Sequence, residues 1–265
     1  MTAPLSDAEI TRYARQLILP QIGDAGQDAL KATRLAIIGA GGLGTPALIS
    51  AASAGFGHIT VIDDDTIEVT NLNRQFLFHE DEAGQSKAEV AAAAARAQNP
   101  HINVSALPNR FTDANAEQIA AHHDIIIDAS DNPETRYRAN RACLSQGRVL
   151  IFVAAIRFEG QLSVFMPPQG GADTAHGCYE CLFAKSTTPA HHQPPIANCA
   201  TVGIAGPVTM MMGALATLEA VKIVAISGDS LAGQLMLFDG LSAHSDFIKT
   251  KRDKHCPACS KYHST

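Results

Sequence analysis

The sequence predicts an α/β fold in which a mostly parallel sheet continues into a mixed sheet with antiparallel late strands. Three observations predict it. Short apolar segments alternate with helical segments over residues 1–157, a glycine-rich turn joins the first strand to a helix, and the pattern changes to weakly alternating strands from Gly160 onward. A strand, glycine turn, helix and second strand in this order are Rossmann-like.

Length and composition fit one large domain, which we divide into residues 1–157 and residues 158–265 of the 265-residue chain. Apolar residues make up 46% and charged residues 17%, which permits a sizeable core. The net charge of −6, with lysines and arginines scattered singly, argues against a nucleic-acid surface. No signal peptide is expected, and Glu219 and Lys222 interrupt the longest apolar run of the second half, which argues against a membrane span. We therefore expect a cytoplasmic protein.

The first half begins with a helix. Ser6 and Glu9 form a capping box that starts it, and it runs to about Leu19 before Pro20 stops it. Buried strands and helices then alternate, which is typical of a parallel sheet. The strands are expected at Arg34–Ile38, His58–Ile62, Ile102–Leu107, Asp124–Asp128 and Arg148–Ile156. The helices are expected at Thr45–Ala54, from Ser86 to about Gln98, between the third and fourth strands, and at Asn132–Gln146.

The second half has a different pattern. The segment "GQLSVFMP", which begins at Gly160, alternates weakly and is expected to be antiparallel. A loop rich in Pro, His and Thr is expected over residues 178–195, and a long buried helix at Gly206–Ile226. Two late strands are expected at Gln234–Phe238 and Asp246–Lys251.

The glycine-rich turn has the spacing G-x-G-x-x-G, with Gly39, Gly41 and Gly44 between a strand and a helix and Gly42 between them. Glycine permits a tight turn and lets backbone N–H groups approach a phosphate at a helix N-terminus. The alternative is a turn that needs glycine only for close packing of helix and strand. The strand–helix–strand context favours a nucleotide site.

The residues that follow the strands indicate which nucleotide binds. Asp63 ends the second strand, where a dinucleotide fold places an acid on a ribose hydroxyl, and this favours an NAD enzyme. Arg74, Lys87 and Asp131 favour a triphosphate instead, because two cations and a carboxylate for Mg²⁺ neutralise charge during phosphoryl-type transfer. Taken singly, Lys87 fits a solvated first-turn residue and Arg74 a surface ion pair.

Six cysteines are present, and four of them form two Cys-x-x-Cys pairs, namely Cys178 with Cys181 and Cys256 with Cys259. Four thiolates in two such pairs suit a closed, tetrahedral structural Zn²⁺ site, and a redox dithiol is the alternative. Cys199 precedes the long helix, where a helix N-terminus lowers a thiol pKa, so a reactive role and a purely structural one are weighted equally.

The motifs together resemble a known family. The segments "RYARQLILPQIG", "GAGGLG", "DDDTIEVTNLNRQFLF", "GQSKAE" and "DASDN" and the paired Cys-x-x-Cys follow one another in the order seen in the MoeB/ThiF/HesA family. These are bacterial ubiquitin-activating-enzyme-like adenylyltransferases. The resemblance spans nearly the whole chain, from Arg12 to Cys259.

The resemblance implies a homodimer that binds Mg-ATP and structural Zn²⁺, and that adenylylates the C-terminal glycine carboxylate of a ubiquitin-like sulfur carrier ending in Gly-Gly. It implies a nucleotide-binding first half and a zinc-bearing, carrier-binding second half. The implied nucleotide ligands are the four glycines, with Asp63 on the ribose, Asn71, Arg74 and Lys87 on the phosphates, Asp131 on Mg²⁺, and Asp65 and Gln75 in support. Arg15 would reach the partner subunit's site. In some relatives the cysteine that matches Cys199 forms a covalent link with the carrier, and in others the adenylate alone is the product and the cysteine is dispensable. The alternatives are an NAD-dependent oxidoreductase and a related adenylating or binding protein that does not act on a sulfur carrier.

Overall fold

The computed structural model describes residues 4–167, 176–185, 202–226 and 230–262. Eight strands form one sheet in the order β3-β2-β1-β4-β5-β6-β7-β8. The strands are β1 Arg34–Ile38, β2 His58–Ile62, β3 Asn103–Leu107, β4 Ile125–Asp128, β5 Val149–Ile156, β6 Glu159–Phe165, β7 Gln234–Asp239 and β8 His244–Lys249. The first five run parallel and the last three are antiparallel to their neighbours, so the predicted change of sheet type is confirmed.

Eight α-helices lie in the described residues. They are α1 Asp7–Leu17, α2 Gly23–Ala32, α3 Gly44–Ala54, α4 Lys87–Gln98, α5 Ala116–Ala121, α6 Pro133–Gln146, the short α7 Tyr179–Leu182, and α8 Gly206–Ala225. Of these, α3 to α6 connect the parallel strands. The capping box at Ser6 and Glu9 is confirmed, since each side chain accepts a hydrogen bond from the other residue's backbone N–H. At α4, the Ser86 hydroxyl accepts a hydrogen bond from the Glu89 N–H.

The chain changes direction across the sheet between β1 and β4. From β1 it proceeds outward through β2 and β3, then returns to place β4 on the other side of β1. The carboxyl ends of β1, β2 and β4 therefore open a crevice between diverging connections, which is where open α/β sheets bind ligands.

The core lies on both faces of the central strands. Ile37 and Ile127 face one apolar cluster and Ile38 and Ile126 face the other, and each of these side chains is almost completely buried. Because the parallel strands are covered on both sides, they are apolar along nearly their whole length.

Helix α8 has the length and composition of a membrane span, but half of it is buried inside the protein. It packs on α2, α3, β5 and β6. These contacts make it a core helix, as its internal Glu219 and Lys222 predicted.

Four parts of the prediction need correction. Helix α1 ends at Leu17, before the predicted Leu19, and β8 occupies 244–249 instead of the predicted 246–251. The predicted loop over 178–195 contains the short helix α7 within its described part. Helix α2 was not predicted at all, because Gly23 and Gly26 weaken its helical pattern.

Candidate active site

A cleft of about 660 Å³ lies at the carboxyl ends of β1, β2 and β4. The structure brings together there nearly all the residues that the sequence predicted for a nucleotide site. The predicted residues that line it are Gly39, Gly41, Gly42, Asp63, Asp65, Asn71, Arg74, Gln75, Lys87 and Asp131. Gly44 is buried behind the turn, where a side chain would overlap the carbonyl oxygen of Gly39. Its role is close packing of the turn and not ligand contact.

The glycine turn offers backbone donors to the cleft. Helix α3 begins at Gly44 without a side-chain cap, but the Thr45 N–H donates to the Gly41 carbonyl oxygen at 3.0 Å and Pro46 has no N–H. The N–H groups without a hydrogen-bond partner among the described residues therefore include those of Gly41, Gly42 and Leu43 in the turn itself. Gly39 adopts a left-handed conformation with φ of 93°, which a residue with a Cβ rarely accepts. An uncapped helix N-terminus beside glycine backbone is a suitable anion site.

Asp63 ends β2 and is tied to the glycine turn. Its Oδ2 accepts a hydrogen bond from the Ala40 N–H at 2.6 Å, and its Oδ1 accepts one from the Asp65 N–H at 2.8 Å. Burial raises the pKa of Asp63, and these two N–H groups oppose that rise. The carboxylate is therefore held at the mouth of the glycine turn.

Lys87 is the first residue of α4 and is almost fully buried. Its Nζ lies 2.9 Å from Oδ2 of Asp65, whose side chain is largely exposed. The Lys87 N–H also donates to the carbonyl oxygen of Asp65 at 3.0 Å. These contacts fix the position of Lys87 in the cleft, and the supporting part of Asp65 stays a prediction.

Asn71, Arg74 and Gln75 lie on one turn that follows β2. The buried Gln75 amide donates to Oδ1 of Asn71 at 3.1 Å, so the two amides orient each other. Arg74 donates from Nη1 to the Thr70 carbonyl and to Oδ1 of Asn73, both at 3.1 Å. These neutral acceptors hold the guanidinium in the cleft without cancelling its charge.

Asp131 follows β4 and lines the cleft with an exposed carboxylate that makes no hydrogen bond to the described residues. The preceding acid, Asp128, was not predicted as a site residue. It is fully buried, its Oδ1 accepts hydrogen bonds from the Ser130 N–H and hydroxyl, and burial raises its pKa. A carboxylate that ends an otherwise apolar strand was the signal that could have revealed it.

Besides Gly44, a second predicted site residue is absent from the cleft lining, and a third cannot be placed. Arg15 is exposed near the end of α1 and is absent from the cleft lining. Cys199 lies outside the described residues.

The four paired cysteines form a second centre. The sulfur atoms of Cys178, Cys181, Cys256 and Cys259 all lie within 4.8 Å of one another. Three of the six Sγ–Sγ distances, from 3.5 to 3.9 Å, are close to the spacing of about 3.8 Å that a tetrahedral zinc with Zn–S bonds of about 2.3 Å requires. The hydrogen bond from the Cys178 thiol lowers the pKa of Cys181, which favours a thiolate. This donor set could hold zinc.

Cys143 is separate and buried, and burial raises its pKa well above that of an ordinary thiol, so it is inert.

Comparison with known proteins decides the family. The ThiF family model matches residues 13–258. The chain belongs to the ThiF family. It is 40% identical to the sulfur carrier protein adenylyltransferase of Thermus thermophilus over 255 residues, which are 95% of this chain and 91% of that protein. It is 38% identical to the sulfur carrier protein ThiS adenylyltransferase of Escherichia coli, covering 96% of this chain and 97% of that protein.

Solved structures support the ThiF-family fold. The chain superposes on Escherichia coli MccB, crystallised with AMPCPP and MccA, with a TM-score of 0.78 over 94% of this chain and 74% of that one. At 23% sequence identity this similarity concerns the fold alone.

Proposed function

We propose that this chain is an ATP-dependent adenylyltransferase that activates the C-terminal glycine carboxylate of a ubiquitin-like sulfur-carrier protein. The observation that carries the proposal is the cleft itself. One edge of the sheet gathers an uncapped helix N-terminus, Arg74, Lys87 and Asp131 around a single space. The ThiF-family membership and the adenylyltransferase names of relatives matched over nearly the whole chain support it.

The predicted residues that line the cleft have different parts in nucleotide binding. The glycine turn and Asn71, Arg74 and Lys87 bind phosphate oxygens, and Asp63 accepts a hydrogen bond from the ribose. Asp65 orients Lys87, and Gln75 orients Asn71. Asp131 is the Mg²⁺ ligand, since its carboxylate has no competing partner among the described residues. Bound Mg²⁺ supplies charge neutralisation at the phosphates.

The residue types suit attack by a carboxylate on a phosphate. A carrier carboxylate oxygen forms a bond to the α-phosphorus of ATP, the bond between the α-phosphorus and the bridging oxygen breaks, and pyrophosphate leaves. The carboxylate is already ionised at neutral pH, so the reaction requires no general base. The work of the protein is to align two anions and to offset their repulsion.

The second half of the chain holds structural Zn²⁺ at the four cysteines and binds the carrier. The Asn140 amide donates to Sγ of Cys178 at 3.6 Å and the Asp253 N–H donates to Sγ of Cys181 at 3.4 Å, which is the outer support expected around a metal site. Phe158, Phe247 and Ile248 are exposed apolar side chains of this half, with Phe247 and Ile248 on opposite faces of β8, and each is available for contact with a protein partner.

The active form is a homodimer. Arg15 does not reach the cleft of its own chain among the described residues, so a phosphate contact by Arg15 requires a second copy. Helix α8 exposes Met210, Met211 and Leu218 on the surface, and such an apolar surface on a core helix suits burial against another subunit.

Pyrophosphate exchange tests the proposal. Purified chain, Mg-ATP and a carrier ending in Gly-Gly should incorporate labelled pyrophosphate into ATP, and Asp131→Ala should abolish the exchange. The matched control is Asp113→Ala, which breaks an exposed ion pair with Arg138 outside the cleft and should leave exchange unchanged. Near-normal exchange by Asp131→Ala would remove the magnesium assignment.

The alternatives give different results. A melting-temperature increase with NAD, and none with Mg-ATP, would favour an oxidoreductase. Binding of ATP without exchange for any carrier would favour an adenylating or binding protein with another partner.

Cys199→Ser should leave adenylylation intact and impair only later sulfur transfer. Loss of the adenylate itself in that variant would contradict this assignment.

A further inference from the structure

Ser130, the residue before Asp131, is held at three of its atoms. Its N–H donates to Oδ1 of Asp128 at 3.0 Å, and its hydroxyl donates to the same oxygen at 2.6 Å. Its carbonyl oxygen accepts a hydrogen bond from Nη2 of Arg136 at 3.0 Å. The Asp128 carboxyl group binds the donor side of Ser130 and the Arg136 guanidinium binds its acceptor side, so the position of this peptide is strongly determined.

Arg136 is itself anchored. It lies on α6, whose start is defined by the Asn132 side chain accepting a hydrogen bond from the Glu134 N–H at 3.0 Å. Its guanidinium carbon lies 5.2 Å from the centre of the buried Phe152 ring, within cation–π range. The half-buried guanidinium therefore has a fixed direction, and that direction is towards the Ser130 carbonyl.

The loop that contains Ser130 also packs on the glycine turn. A Cβ added to Gly39 would lie 3.0 Å from the carbonyl oxygen of Ala129 and 3.4 Å from the Ser130 nitrogen. The turn that receives phosphate and the loop that presents Asp131 are thus in direct contact. A displacement of Ser130 would move Asp131 relative to the phosphate site.

Asp131 has no hydrogen bond of its own to the described residues, so its carboxylate depends on the backbone before it. We infer that Arg136 is a positioning residue that, with Asp128, clamps Ser130 and so places the Asp131 carboxylate for Mg²⁺. This inference rests on the proposed function. It assigns Arg136 no contact with the nucleotide, although Arg136 also lines the cleft.

The test measures how pyrophosphate exchange depends on free Mg²⁺ at saturating ATP and carrier. Arg136→Met keeps the aliphatic stem but removes the donors, and it should raise the half-saturating Mg²⁺ concentration about tenfold. Arg136→Lys keeps the positive charge near Phe152 and one donor nitrogen but lacks the planar guanidinium. Its half-saturating Mg²⁺ concentration should therefore lie between those of the wild type and Arg136→Met. Arg138→Met is the matched control, because Arg138 lies on the same helix and pairs with Asp113, so it should leave the Mg²⁺ dependence unchanged.

A double-mutant cycle separates positioning from direct binding. If Arg136 acts through Asp131, then Arg136→Met should add little to the Mg²⁺ defect of Asp131→Asn. Effects that multiply in the double variant, or a raised KM for ATP at unchanged Mg²⁺ dependence, would overturn the inference and make Arg136 a nucleotide ligand. A normal Mg²⁺ dependence in Arg136→Met would also overturn it.

Two safeguards keep the result interpretable. Should Arg136→Met fail to fold, Arg136→Lys with a melting temperature near that of the wild type supplies the same comparison. Absence of exchange in the wild-type protein would reject the proposed function instead, so the two failures are distinguishable.

Discussion

One methyl group should affect the two ends of the glycine turn in different ways. In Gly44→Ala the new Cβ would overlap the carbonyl oxygen of Gly39 and lie 2.8 Å from its carbonyl carbon. The optimal distance between two non-bonded carbon atoms is about 3.5–4.0 Å. Gly39 cannot yield easily, because its N–H donates to the Ile62 carbonyl at 2.8 Å and it packs on Ala129. Overpacking typically costs about 1–3 kcal/mol and more where backbone must move, so we expect a loss of about 3 kcal/mol or more.

Gly41→Ala should leave stability nearly unchanged and weaken nucleotide binding. Its Cβ would meet nothing closer than Nε2 of Gln75 at 3.7 Å, an ordinary contact. The free energy of unfolding should therefore stay within about 1 kcal/mol of the wild type. The methyl group would nevertheless stand between the backbone N–H groups and a phosphate. Loss of one charge-assisted hydrogen bond, about 1.5–3 kcal/mol, corresponds to about 10- to 100-fold weaker ATP binding.

Urea unfolding and calorimetric titration with Mg²⁺ and a non-hydrolysable ATP analogue measure both quantities. For a chain of this size, about 3 kcal/mol corresponds to a fall in melting temperature of about 6–12 °C for Gly44→Ala. The reasoning is refuted if Gly41→Ala loses as much stability as Gly44→Ala. It is also refuted if Gly41→Ala binds the analogue as tightly as the wild type.

Three further predictions concern stability and metal content. Burial raises the pKa of Glu9, but the hydrogen bonds from Lys31 and from the Ser6 N–H and hydroxyl together outweigh burial and lower the pKa to about 2, so the stabilisation by Glu9 is present above pH 4.5 and is lost as the pH falls towards 2. Urea unfolding of Glu9→Gln should lack this part of the acid dependence, and equal slopes in both proteins would contradict the ion-pair argument. Burial lowers the pKa of His123, which bonds to Thr60 at 2.8 Å, so wild-type stability should fall as the pH drops below 6.5, whereas His123→Gln should not show that decrease. Elemental analysis should find about one zinc per chain, lost in Cys256→Ser and kept in Cys143→Ala, and zinc retained by the first variant would reject the four-cysteine site.

Local sequence was sufficient for the strands around the glycine turn. Strands β1 and β2 occupy the predicted residues, because a glycine follows the first at Gly39 and another precedes the second at Gly57. Local sequence was not sufficient to predict helix α2. A Cβ at Gly26 would lie 3.0 Å from the carbonyl oxygen of Ala225, so glycine there permits close packing on α8. That requirement comes from a residue about two hundred positions away, and no local pattern reports it.

The residues of the candidate site likewise differ in whether local sequence predicts them. Asp63 and Asp131 were predictable because each follows a strand whose carboxyl end reaches the same edge of a parallel sheet, as the cleft lining bears out. The carboxylate that ends an apolar strand marks Asp128 as unusual, but the contacts that Asp128 and Arg136 make with Ser130 were not predictable. The first looks like the last residue of an apolar strand and the second like an ordinary helix-surface arginine, and only the fold brings both to Ser130. Residues that bind a ligand directly follow motifs, whereas residues that hold other residues depend on tertiary contacts.

The charge of the cleft explains why its own residues are insufficient. Its described lining contains six carboxylates and four cationic side chains, an unfavourable balance for a triphosphate. Two of the acids are engaged, since Asp63 accepts hydrogen bonds from backbone N–H groups and Asp65 pairs with Lys87, but pairing leaves the net charge negative. We propose that the missing positive charge arrives with the nucleotide as Mg²⁺ at Asp131, or from another subunit through Arg15. The metal requirement and the dimer that we propose thus have one electrostatic cause.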